Sequence, residues 1–171
     1  CDITFVTGGD ISERSTEEFL SELQACGLFG RCRWYYNLPI EEMANVYREC
    51  HDSSGVVLST SESESFCLVA HEAMSCGVPV VAAAAGAITE AYPGKMAELL
   101  FSTGDIEEAV RIIIALLKDR DHWQRVKADG LDVQRNYDPI SLGELYIHTL
   151  RDVRDRAPAP APVAAKSGTR Y

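Results

Sequence analysis

The 171 residues contain no run of about 18 apolar side chains, so the sequence offers no candidate for a membrane-spanning helix. The six cysteines form no CxxC pair, and neither they nor the four histidines fall at zinc-ligand spacing, which removes a redox dithiol and a structural zinc from the readings. A GxGxxG turn is missing, and with it the usual grip on a nicotinamide dinucleotide. No set of Ser, His and Asp shows a nucleophile elbow. Positive charge is scarce: 16 Lys and Arg against 26 Asp and Glu leave a net charge of −10. That balance argues against nucleic acid or an anionic membrane surface as a main partner, and any phosphate site must be built locally. The sequence opens on Cys1 rather than Met and reads as a fragment or a processed product, so the lack of a signal peptide excludes nothing.

What is present describes one globular α/β domain over residues 1–155, with 46% apolar and 25% charged residues. Residues 2–7 read as a strand stopped by Gly8 and Gly9, and Ser15 with Glu18 reads as a capping box opening an amphipathic helix that ends at Gly27. A strand over 33–36 leads through Asn37, Leu38 and Pro39 into a helix over 40–50. The apolar runs 56–59 and 78–83 predict buried parallel strands, and 97–101 predicts a further one. Helices are predicted over 106–118, 122–134 and 140–153, and the Pro/Ala-rich residues 156–171 as a disordered tail. Tyr35, Tyr36 and Tyr47 fall at core spacing. The cysteines sit where a small apolar residue would serve; read as reduced thiols, they lead to the expectation of a cytoplasmic protein.

The chain is organised around Ser59 to Gly86, STSESESFCLVAHEAMSCGVPVVAAAAG. A polar loop carries Glu62 and Glu64, a short helix is predicted over 66–76, and Gly77 is its left-handed stop. Helical spacing places Glu72 in an apolar stripe with Leu68, Val69, Ala73 and Cys76. A carboxylate there needs a partner. Two readings are open: an internal Arg or a backbone group, or the hydroxyls of a ligand at the crevice edge of the sheet. Glu64 precedes the helix, where the leading N–H groups near Phe66, Cys67 and Leu68 form a ready anion site. An ordinary acidic cap is the alternative for Glu64. Gly86 lets backbone approach a ligand closely, and Glu90 is either a wall residue or the start of a helix.

Glu64, seven residues, then Glu72, inside ESFCLVAHEAMSCGVPVVA, resembles the Glu-x7-Glu signature of the retaining glycosyltransferases of family 4, which have the GT-B fold. The resemblance extends from Asp2 to about Tyr146 and implies the C-terminal, donor-binding half of that fold, a doubly wound Rossmann-like parallel sheet. It implies that Glu72 binds the ribose hydroxyls of a nucleoside diphosphate sugar. Glu64, the candidate catalytic residue, would bind the donor sugar. Phe66, Cys67 and Leu68 would meet the diphosphate, Asn37 and Leu38 the base, and Gly86 the donor. For Asn37 and Leu38 a plain strand-to-helix connection is the other reading. Neither a metal nor a cofactor is implied.

Two departures stand out. Ala87 replaces the second glycine of a Gly-Gly pair, and the family's Arg and Lys after its first strand have no match. Aligned by motif, residues 2–7 correspond to the second strand, so the central first strand and its helix are lacking. An N-terminal acceptor domain or another completing chain is therefore expected as partner. Lys95, Arg31 and Arg33 are candidate stand-in cations. The function implied is transfer of a hexose from a nucleoside diphosphate sugar. A GT-B relative with epimerase or phosphorylase chemistry, or a non-catalytic interaction module, is the alternative.

Overall fold

The computed structural model describes residues 2–8, 12–137 and 139–156. Among the described residues five strands and six α-helices follow in order: three helices alternate with the first four strands, 3-10 turns lead to the fifth, and three helices then run on alone. Strand β1 (Ile3–Thr7) pairs with β2 (Cys32–Tyr36), Phe5 lying opposite Trp34. Between them lies α1 (Glu13–Ala25). Its cap is Ser12, whose side chain accepts from the Ser15 N–H, while Glu18 pairs with Arg14 at 2.8 Å. The capping box expected at Ser15 and Glu18 is therefore corrected. A Ser one turn earlier meets the orphan N–H first, which frees Glu18 for the i,i+4 ion pair.

Pro39 opens α2 (Ile40–Asp52), with Glu41 and Glu42 in its first turn, both favourable to the helix dipole. A second sheet orders β3 (Val57–Ser59), β4 (Val80–Ala83) and β5 (Leu100–Phe101). Strand β4 is the buried centre: Val80, Val81, Ala82 and Ala83 all lie in the core. Helix α3 (Leu68–Ser75) covers it with Ala70, Ala73 and Met74, and α4 (Ile106–Lys118) with Ala109, Ile112 and Leu116. Helix α5 (Arg120–Arg135) adds Val126 and Val133, and its buried Trp123 donates an indole N–H to the Gly55 carbonyl at 2.8 Å. Helix α6 (Pro139–Arg156) follows.

Among the described residues no strand joins the two sheets, β2-β1 and β3-β4-β5. In the doubly wound order 3-2-1-4-5-6 that break falls where the central strand belongs, with β1 in the second place and β3 in the fourth. Among the described residues the fold is thus a partial GT-B half without that strand, as the motif alignment implied. Two spans differ from expectation. Residues predicted as a strand over 97–101 are mostly a 3-10 segment, Gly94–Leu99, leaving only Leu100–Phe101 extended, and residues 86–91 form another 3-10 turn. The tail expected over 156–171 lies, from residue 157 on, outside the described residues.

Candidate functional site

The helix that carries the motif begins later than expected. Cys67 has φ +57°, in the left-handed region, so the chain cannot be helical there and α3 starts at Leu68. The buried face also differs from the predicted stripe. Leu68 and Val69 are 63% and 46% exposed, whereas Ala70, Ala73 and Met74 pack inward. A short helix turns whichever face fits its neighbours, and here the small residues fit closest against the buried β4 and against α5. Gly130 of α5 shows how close: a Cβ there would meet Met74 Cγ at 3.4 Å. Glu72 consequently sits beside the buried face, half-buried.

Among the described residues its partner is neither an arginine nor a backbone group. Tyr47, on α2 and only 4% exposed, donates its hydroxyl to Glu72 Oε2 at 3.1 Å. Burial, with the nearby Glu72 charge added, pushes the Tyr47 phenol well above its ordinary range, so it remains a protonated donor. The pair lies on a cavity of about 530 Å³ between α2, α3 and the α5–α6 junction. That is within the usual size for a small-molecule site, roughly 300–1,000 Å³. Ile40, Met43 and Ala44 of α2 form one wall. The other is aromatic: Phe66 stacks on His71 with centroids 4.4 Å apart and planes 12° from parallel, and Tyr137 meets His71 edge-on at 4.4 Å. His71 is held from behind, its Nδ1 at 3.1 Å from Gln134 Oε1.

Glu64 is positioned by a different contact. Its carbonyl accepts from the Ala87 N–H at 2.9 Å. Gly86 has φ +60°, and a Cβ there would collide with the Glu64 carbonyl. The space over Gly86 is thus occupied by the Glu64 main chain, and the two loops lock together. Cys67 is buried, and burial, with the Glu64 charge adding to it, raises its thiol pKa against an opposing hydrogen bond with the Ala70 backbone. The N–H of Asn37, which has φ +49°, donates to the Thr7 carbonyl at 2.8 Å, fixing that loop to the end of β1.

Among the candidate residues, the cavity brings together Glu72 and Phe66; Glu64, Gly86, Asn37, Leu38, Cys67 and Leu68 do not line it. Of the candidate cations, Arg33 is engaged by Glu49 at 2.7 Å, and Lys95 lies in a small depression with Asp129 and Asp132. Glu90 is exposed at the end of the 3-10 turn. Tyr47, His71, Gln134 and Tyr137 were not legible as site residues. Tyr47 carried the core signal that its burial bears out, and nothing in the sequence announces that its hydroxyl reaches another helix.

Comparison with known proteins bears on this geometry. The family model of the glycosyl transferases group 1 matches residues 2–131. The D-inositol 3-phosphate glycosyltransferase of Mycolicibacterium smegmatis is 34% identical over 134 residues, 77% of this chain and 29% of that protein. The sulfoquinovosyl transferase SQD2 of Arabidopsis thaliana is 38% identical over 94 residues, 53% of this chain and 18% of that protein. The chain therefore spans less than a third of those relatives' own length. Among solved structures, sucrose-phosphate synthase of Thermosynechococcus elongatus superposes with a TM-score of 0.69 at 26% identity, covering 87% of this chain and 38% of its own. Anabaena HepE in complex with UDP and glucose reaches 0.74 at 23% identity over 87% of this chain and 40% of its own, a likeness of fold. The motif, the broken doubly wound sheet and the family match agree: this chain belongs to the glycosyl transferases group 1 family.

Proposed function

We propose that this chain is the donor-binding half of a retaining glycosyltransferase that moves a hexose from a nucleoside diphosphate sugar to an acceptor. The observation that carries the reading is Glu72: a half-buried carboxylate on a cavity of about 530 Å³, at the second Glu of the family motif, with Tyr47 on one oxygen. A carboxylate so held accepts further hydrogen bonds, and the vicinal hydroxyls of a ribose supply two donors. That HepE was solved with UDP and with UDP-glucose supports a nucleotide sugar as donor.

In this reading Glu64, fixed through its carbonyl to Ala87, meets the donor sugar. At the start of α3 Ala70 and His71 already donate to the Cys67 carbonyl, which leaves the Leu68 and Val69 N–H groups without an intrahelical partner; with the helix dipole these two offer fixed positive poles to the charge that builds on the departing diphosphate. The Asn37–Leu38 loop contacts the base. The reaction is metal-independent on this proposal. A completing strand between β1 and β3, and an acceptor-binding domain, are supplied by polypeptide outside this chain. The described cysteines are free thiols, which suits a cytoplasmic location.

The test is a titration of UDP, GDP and ADP sugars against the full-length protein and its Glu72→Ala variant. Ligand hydroxyls left unpartnered forfeit about 1–3 kcal/mol per buried hydrogen bond, so Glu72→Ala weakens the preferred nucleotide tenfold or more. Failure of every nucleotide to bind would overturn the proposal. Undiminished binding by Glu72→Ala would remove the ribose assignment.

A further inference from the structure

We infer that Tyr47 is a positioning residue for nucleotide binding: its hydroxyl holds one oxygen of Glu72 and thereby aims the other at the ligand's ribose. The inference rests on the proposed nucleotide site and goes beyond the motif, which contains no tyrosine.

Three observations carry it. Tyr47 is packed in the core and also borders the cavity, so the donor is placed by packing rather than by a flexible stem. The hydroxyl reaches Glu72 Oε2 at 3.1 Å across 25 residues of sequence, linking α2 to α3. Glu72 is half-buried on the short α3, and the Tyr47 hydroxyl is the hydrogen bond that selects among the staggered rotamers of its side chain. A phenol is the suitable donor for this purpose. It supplies one hydrogen bond and no charge, so it orients the carboxylate without neutralising it, whereas an arginine would occupy both oxygens and compete with the ligand.

The consequence is specific. Removing the hydroxyl weakens only those ligands whose binding depends on Glu72. The full-length protein and its Tyr47→Phe variant are titrated calorimetrically with UDP and with 2′,3′-dideoxy-UDP, at matched ionic strength. If another base is preferred, its ribose and dideoxy forms are used. Phenylalanine keeps the ring that fills the core, and a thermal melt of each protein checks that the fold is retained. The expected result is a loss of about tenfold for the ribonucleotide, with the dideoxy form bound equally by both proteins. Because the deletion on the ligand side needs no second substitution, the comparison survives even if Glu72→Ala destabilises the fold. Equal losses on both ligands would mean that Tyr47 serves packing alone and would overturn the inference, as would no loss on either. If the wild-type protein binds no nucleotide, or does not distinguish the two ligands, the ribose site itself is wrong, a different failure from that of Tyr47.

Discussion

Substituting Gly86 by Ala strikes the contact that fixes Glu64. Gly86 has φ +60°, where an L residue is disfavoured by about 1–2 kcal/mol. Its new Cβ would run into the Glu64 carbonyl, which must move away and give up the 2.9 Å hydrogen bond from Ala87, a loss of about 1 kcal/mol. Gly86→Ala is therefore expected to destabilise the fold by about 2–3 kcal/mol, seen as a fall of roughly 5–10 °C in Tm for a chain of this size. Gly94→Ala is the control, because Gly94 has φ +59° with nothing near its missing Cβ and so carries the same backbone strain without the clash. Melting both variants isolates the Glu64 term as their difference, and titrating both with UDP and UDP-glucose shows what it does. Gly86→Ala should keep most of its affinity for UDP and lose the increment contributed by the sugar, while Gly94→Ala keeps both. Equal Tm shifts together with equal donor affinities would refute the claim that Gly86 exists to seat the Glu64 main chain.

Further outcomes follow from single contacts. Cys67→Val should destabilise by about 2 kcal/mol or more in urea, because a β-branched side chain fits φ +57° poorly; full tolerance would mean that the left-handed start of α3 is not needed. Tyr92→Phe removes a buried hydroxyl that donates to the Val80 carbonyl at 3.1 Å, for about 1–2 kcal/mol by denaturation, and an unchanged midpoint would contradict that contact. Burial raises the thiols of Cys50 and Cys67 above 9.0 and the phenols of Tyr47 and Tyr92 above 10.0, so the unfolded chain loses these protons first as pH rises. Stability contributed by these groups is complete below about pH 9 and falls as pH climbs past 9 and then 10; a denaturation midpoint constant up to pH 11 would refute this.

The sequence announced the topology where residue type leaves little choice. Gly77 after an apolar helix, and the unbroken apolar run of β4, admit few alternatives, and of the motif's two carboxylates the structure places Glu72 on the cavity and Glu64 outside its lining. The break between β1 and β3 was legible because the motif fixed which strand each segment must be. What escaped is what neighbours decide. A short helix such as α3 has apolar residues nearly all round, so only packing chooses Ala70 and Met74 over Leu68 and Val69. Cys67 in a left-handed conformation was hidden because that geometry is read from glycine. The Tyr47–Glu72 bond and the Phe66, His71 and Tyr137 wall join elements distant in sequence, and each of those residues alone reads as ordinary core or surface.

The most direct measurement is a crystal structure of the full-length protein with a bound nucleoside diphosphate. The vicinal ribose hydroxyls are expected within hydrogen-bond distance of Glu72, with Tyr47 still on its other oxygen and the diphosphate at the N-terminus of α3. A nucleotide bound elsewhere, with Glu72 facing only Tyr47, would contradict the assignment of this carboxylate as the residue that holds the donor.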